Sequence, residues 1–239
     1  EVAGRTCYMS FAKPRPGGSK AYINHILEVG HGSVLEHSVY SLLITGVSRS
    51  LTHELVRHRA GMGYSMLSQR FVDESDCEFV VPPALIHAVQ AAQQYMQAYR
   101  CDDPSDALAW MMEWHPQVID TSGDSYIGLR WLDSVTRAQR DYAGLAELIQ
   151  QGMDDAAGIA LPNGGSTTTT ARRKAAREAA RSVLPNATET KIFVTGNARA
   201  LRHFIEMRGD VAADAEIRRL AVAVLKVLQA ASPNLFGDY

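Results

Sequence analysis

The residues from Val39 to Phe71 leave a chain like this few ways to fold. Val39 to Val47 (VYSLLITGV) is a run of β-branched and aromatic residues, the composition of a strand. Ser48 or Ser50 then supplies an N-cap for a helix from Leu51 to about Ala60, which Gly61 closes. Arg57, His58 and Arg59 fall at its end. A glycine-hinged turn follows, Gly61-Met62-Gly63, and then Tyr64, Ser65, Ser68, Gln69 and Arg70. Each guanidinium is a rigid fork of donors that matches phosphate oxygens. The stretch therefore reads as a site for one or more phosphorylated ligands. Cations in a last helical turn also meet the negative end of the helix dipole, an effect worth about 0.3–1 kcal/mol with no ligand at all. Residues two apart do not share a helix face, so Arg57 and Arg59 can grip one anion together only if the helix stops there.

Elsewhere the pattern is mostly helical. After the KPRPGGSK loop a helix opens near Ser19, carries Ala21, Ile23, Ile26 and Leu27 at helical spacing, and ends at Gly30. The segment HGSVLEH reads as a loop with two histidines and a carboxylate, and Glu78 to Val81 as a short strand ending at Pro82-Pro83. Helical periodicity runs from Ala84 to about Gly152, with breaks at Asp102–Ser105 and Asp120–Asp124. A flexible link at Leu161–Thr170 leads into a basic helix, RRKAAREAARSV, in which Glu178 is expected to pair with Lys174. A third strand is expected over Thr188–Thr195, then helices over Ala198–Arg208 and Asp214–Ala231. Asn197 is a fair N-cap, and Arg199, His203 and Arg208 fall along one side of the helix it starts. The class is mixed and helix-dominated, with few strands.

Several functions are disfavoured. A net charge of −2 argues against a general nucleic-acid binder. Cys7, Cys77 and Cys101 form no C-x-x-C pair, so neither a disulfide framework nor a zinc-thiolate site is expected, which suits a reducing, cytoplasmic location. No apolar run is long enough to span a membrane. Met66 stands where a dinucleotide fingerprint begun at Gly61 would need a third glycine. His53 and His58 are five apart, not the four that places two imidazoles on one helix face, so no metal is expected.

Taken together, RTCYMSF, GHGSVLEH, LVRHR…LSQRF, ARSVLP and TGNARALRHFIEMR…AEIRRLA resemble, in order, the flavin-dependent thymidylate synthase family. The resemblance implies an α+β fold, a curved antiparallel sheet flanked by helices. It implies a single domain over 1–239, with a helical insertion at about 84–170, and a homotetramer with active sites between subunits. The implied reaction is C5-methylation of a uracil nucleotide, with FAD as cofactor and NADPH and methylenetetrahydrofolate as co-substrates. By resemblance, Arg57, His58 and Arg59 hold FAD phosphates, Ser33 and Glu36 belong to the flavin loop, and Asn197, Arg199 and His203 lie beside the flavin ring. Glu54, Leu67, Ser68, Gln69 and Arg70 match the nucleotide-binding stretch, as Arg57 also does. Arg181 reaches the nucleotide phosphate from a neighbouring subunit, and Arg208 is the catalytic arginine at the uracil. Eight residues lie between Arg59 and Ser68, one more than in the family's motif. Met66 occupies a place usually acidic or amide, and His203 one often held by Asn. These departures are similar to a side branch that methylates UMP in polyoxin-type nucleoside antibiotic biosynthesis. UMP is therefore the expected nucleotide, with dUMP as the alternative. A non-catalytic nucleotide- and flavin-binding protein is the competing class.

Overall fold

The computed structural model describes residues 1–12, 14–115, 123–155 and 168–239. The chain forms two compact units, one of Glu1–Val47, Leu51–Met66 and Lys191–Tyr239, the other of Ser48–Ser50 and Leu67–Thr190.

The first unit is built on a three-stranded sheet in the order β1-β3-β2, with β1 Val39–Ser48, β2 Met62–Met66 and β3 Glu189–Asn197. β2 and β3 run antiparallel, from Met62 opposite Gly196 to Met66 opposite Ile192. Strand periodicity is plain in β3, where Ile192 and Val194 are buried and Lys191 and Phe193 exposed. The buried face packs on the helices Gly18–Glu28, Ala198–Gly209 and Ala215–Ala231, through Ile23, Ile26, Leu201, Phe204, Ile205, Ile217 and Leu228. Leu51 and Leu55 add the one-sided apolar stripe of the short helix Arg49–Leu55. Two of these helices start as their sequences require. Asn197 Oδ1 accepts from the Ala200 N–H at 2.9 Å, and Asp214 Oδ1 from the Glu216 N–H at 2.9 Å.

Three expectations need correction in this unit. HGSVLEH is not a plain loop, because Gly32–His37 winds into a 3-10 helix. The helix expected to reach Ala60 stops at Leu55. The Leu55 carbonyl accepts the His58 N–H at 3.1 Å, and the Tyr64 hydroxyl lies 3.0 Å from that carbonyl and 2.7 Å from that of His58. The presumed turn after Gly61 is instead strand β2. Gly61 takes a left-handed φ of 71°, reverses the chain, and its carbonyl accepts the Asn197 N–H at 3.0 Å.

The second unit is helical, comprising Ile86–Tyr99, Pro104–Trp114, Asp124–Asp155 and Thr169–Ala180. A 3-10 turn, Arg181–Val183, follows. Ala92, Tyr95, Ala107, Leu108, Met111 and Leu129 form its apolar centre. Asp103 caps the second of these helices through the Ser105 N–H at 2.8 Å, with Pro104 in the first turn. The strand expected over Glu78–Val81 reduces to a single antiparallel bridge, Phe79 opposite Thr188, with flanking bonds from Val80 N to Ala187 O and from Glu189 N to Glu78 O at 2.8 Å each. Glu178 does not pair with Lys174. Its carboxylate lies 2.8 Å from Arg70 Nε, at an angle outside that of a good hydrogen bond, and Lys174 sits over the Phe71 ring. The break expected at Asp120–Asp124 and the link at Leu161–Thr170 lie largely outside the described residues.

Candidate functional site

Because the helix ends at Leu55, Arg57-His58-Arg59 occupies irregular backbone between that helix and β2. Helical periodicity no longer separates the two arginines. Arg57 and Arg59 are exposed and form no ion pair among the described residues, while His58 between them is half-buried. Its Nε2 lies 3.0 Å from Arg208 Nε, and the Phe204 and His203 rings meet its own edge-on at centroid distances of 5.4 and 6.0 Å. Burial, and the nearby Arg208 and His203, hold the His58 pKa below the ordinary histidine value.

Arg208 comes from the last turn of the Ala198–Gly209 helix. Its Nη1 donates to Glu54 Oε2 at 2.8 Å, so two acceptors from the Arg49–His58 stretch meet one guanidinium. Its Nη2 has no hydrogen bond among the described residues, leaving N–H donors available. One turn back, His203 lines a cleft of about 490 Å³ together with Glu36, Ala60, Gly61, Asn197, Arg199 and Ala200. That size lies within the range of ordinary cofactor and ligand sites. Arg199 Nη1 donates to Glu36 Oε1 at 2.7 Å, which bridges the 3-10 helix to the cleft.

The first unit therefore gathers Glu36, Glu54, His58, Asn197, Arg199, His203 and Arg208, with Arg57 and Arg59 at the exposed edge. Ser33 is exposed on the Gly32–His37 turn. Leu67, Ser68, Gln69, Arg70 and Arg181 belong to the second unit. There the Ser68 carbonyl accepts the Phe71 and Val72 N–H groups at 3.1 and 3.0 Å, closing a tight turn. Gln69 is buried, and its Nε2 has no hydrogen-bond partner among the described residues. Arg181 opens the 3-10 turn and is half-buried.

Two contributors lay within the stretch read as a site from sequence but had no individual role there. Tyr64 pins the His58 carbonyl, and burial pushes its own hydroxyl pKa up to about 12, which keeps it a neutral donor. Gly61 forms part of the cleft wall, where a Cβ would stand 2.5 Å from Asn197 Nδ2. The glycine-rich spacing before Tyr64 was the available signal for both.

An α+β unit whose cleft carries an amide, an imidazole and a guanidinium, beside two exposed arginines, is the framework of a cofactor- and nucleotide-handling protein. Residues 1–234 match the family model described as thymidylate synthase complementing protein, and the chain belongs to that family. It is 43% identical over its full length, and over 78% of the relative, to a flavin-dependent thymidylate synthase of Mycobacteroides abscessus. It is 44% identical, with the same coverage, to one of Mycolicibacterium gilvum, and 42% identical to one of Mycobacterium avium. The chain is accordingly an enzyme of the methyltransferase class.

Proposed function

We propose that this enzyme carries out the reductive C5-methylation of a uracil nucleotide, with FAD as cofactor and NADPH and methylenetetrahydrofolate as co-substrates. The observation that carries this reading is Arg208, fixed at Glu54 and His58 with its Nη2 donors uncommitted, one helical turn from the His203 side of the cleft. The donor set suits a flavin. Asn197, Arg199 and His203 offer polar atoms to the ring's heteroatom edge, and the exposed Arg57 and Arg59 suit its phosphates. When bound, the reduced flavin supplies the hydride, and the folate the carbon. The protein's part is to bind, orient and polarise. A cationic Arg208 beside the uracil N3 and its carbonyls favours negative charge on the ring, which raises electron density at C5, and such electrostatic help is commonly the largest single contribution to a barrier. No cysteine needs to act as nucleophile in this scheme.

UMP is the favoured nucleotide, on account of the additional residue between Arg59 and Ser68 and of Met66 in place of a polar side chain. A place in nucleoside-antibiotic synthesis would follow from that preference. The identity of about 43% to relatives named as thymidylate synthases supports dUMP as the second reading. Side-by-side turnover of UMP and dUMP by the FAD-loaded enzyme decides between them. A preference for dUMP of more than about tenfold, equivalent to about 1.4 kcal/mol, removes the UMP reading. A homotetramer with Arg181 reaching a neighbouring subunit's nucleotide completes the proposal. Purified protein that takes up no FAD would defeat it as a whole.

A further inference from the structure

A histidine nitrogen that accepts a hydrogen bond carries no proton, and arginine has only donors. Arg208 Nε lies 3.0 Å from His58 Nε2, so that nitrogen is the acceptor and the ring proton sits on Nδ1. Glu54 Oε2 takes Nη1 of the same guanidinium at 2.8 Å. Two acceptors on two edges fix both the position and the plane of the group, and Nη2 is left for a ligand. His58 is itself held. Tyr64 lies at its carbonyl, Phe204 meets its ring edge-on, and His203 stands beside it.

We infer that His58 is a positioning residue for Arg208, acting as a neutral acceptor that aims the guanidinium, rather than a cation that grips the cofactor's phosphates. This rests on the reading of Arg208 as the group that polarises the uracil. In this neutral tautomer the ring keeps a single donor, at Nδ1, and brings no positive charge to an anion. Here Nε2 is committed to Arg208, while the exposed Arg57 and Arg59 on either side remain available to anions. The charged and titratable groups facing His58 are Arg208 and His203 from the Ala198–Gly209 helix, Glu54 across the guanidinium, and Tyr64 from β2. Burial first, then Arg208 and His203, disfavour a second proton on the ring. Acid protonation at Nε2 would destroy the acceptor and set an imidazolium against a guanidinium. Aim would then be lost before cofactor binding is.

The test has two independent arms. In nucleotide-free enzyme labelled with 15N-histidine, NMR should show His58 as the Nδ1–H tautomer with a titration midpoint below that of free histidine, and Arg208→Ala should move the midpoint up. An Nε2–H tautomer, or a midpoint indifferent to Arg208→Ala, overturns the inference without any turnover being measured. In the FAD-loaded enzyme, His58→Ala should lower kcat about tenfold or more while nucleotide KM and bound FAD change little. His58→Gln retains an acceptor oxygen, so it should recover part of kcat and lose the acid limb of the kcat–pH profile. His58→Ala that sheds FAD yet turns over normally per bound flavin assigns the residue to the cofactor and refutes the proposal. Wild-type enzyme that binds FAD but methylates no uracil nucleotide refutes the function proposed above. The tautomer still reports on the His58–Arg208 link in that case.

Discussion

Gly61→Ala separates backbone strain from cleft geometry. Gly61 sits at φ 71°, a left-handed conformation that costs a residue with a Cβ about 1–2 kcal/mol. Gly46 sits at φ 68° with open space where its Cβ would stand, so Gly46→Ala should cost about that amount and no more. At Gly61 the new methyl would also stand 2.5 Å from Asn197 Nδ2 and 3.0 Å from its Cγ. The Asn197 side chain must move, yet its Oδ1 caps the Ala198–Gly209 helix at the Ala200 N–H. Losing that cap adds about 1 kcal/mol, for a total of about 2–3 kcal/mol. The same displacement disturbs the cleft wall, so FAD affinity should fall about tenfold in Gly61→Ala and stay unchanged in Gly46→Ala. Urea unfolding of the flavin-free proteins, with equal m-values, gives the stability difference. Titration with FAD, followed by flavin fluorescence, gives the affinity. Equal stability losses and equal FAD affinities in the two variants would refute the argument.

Two further outcomes are expected. Arg208→Ala should abolish most turnover while FAD stays bound, whereas Arg57→Ala should weaken FAD binding and leave turnover per bound flavin largely intact, as absorbance-based FAD occupancy and nucleotide product analysis would show; the opposite pattern would overturn the division of roles. Cys77 should resist alkylation where exposed Cys7 does not. Burial pushes the Cys77 thiol up to about 11, so its thiolate fraction at pH 8 is on the order of one in a thousand and should rise about tenfold per pH unit up to that value. Peptide mass spectrometry after timed iodoacetamide exposure at pH 8 and pH 9 reads this directly, and equal rates at Cys7 and Cys77 would contradict it.

Much of the framework was legible in the residues. β-branched runs marked β1 and β3, Asn197 and Asp214 marked helix starts, and helical spacing put Arg199, His203 and Arg208 along one side of the helix that Asn197 starts. Those signals are local, since they depend on side-chain shape and on neighbours within a turn or two. The grouping of Arg57, His58, Asn197, Arg199, His203 and Arg208 as one candidate site came from the order of whole motifs, because periodicity alone places Arg57 and Arg59 on different faces.

Other features depended on partners distant in the chain. β2 reads as a glycine turn by itself and becomes a strand because β3 supplies its backbone partners, Met62 to Gly196 through Met66 to Ile192. The carbonyl of Leu55, where the helix stops, is met by the Tyr64 hydroxyl from β2, and Glu178 turns from Lys174 to Arg70. The sequence alone determined which residue types lie near one another along the chain, and so the supply of arginines, the caps and the strand-forming runs. Only the tertiary structure decided that His58 meets Arg208 as an acceptor across 150 residues, and that Gly61 must yield room to Asn197. The physical reason is that hydrogen-bond direction and steric room are set by atoms converging from separate segments, and no stretch of sequence carries both sides of such a contact.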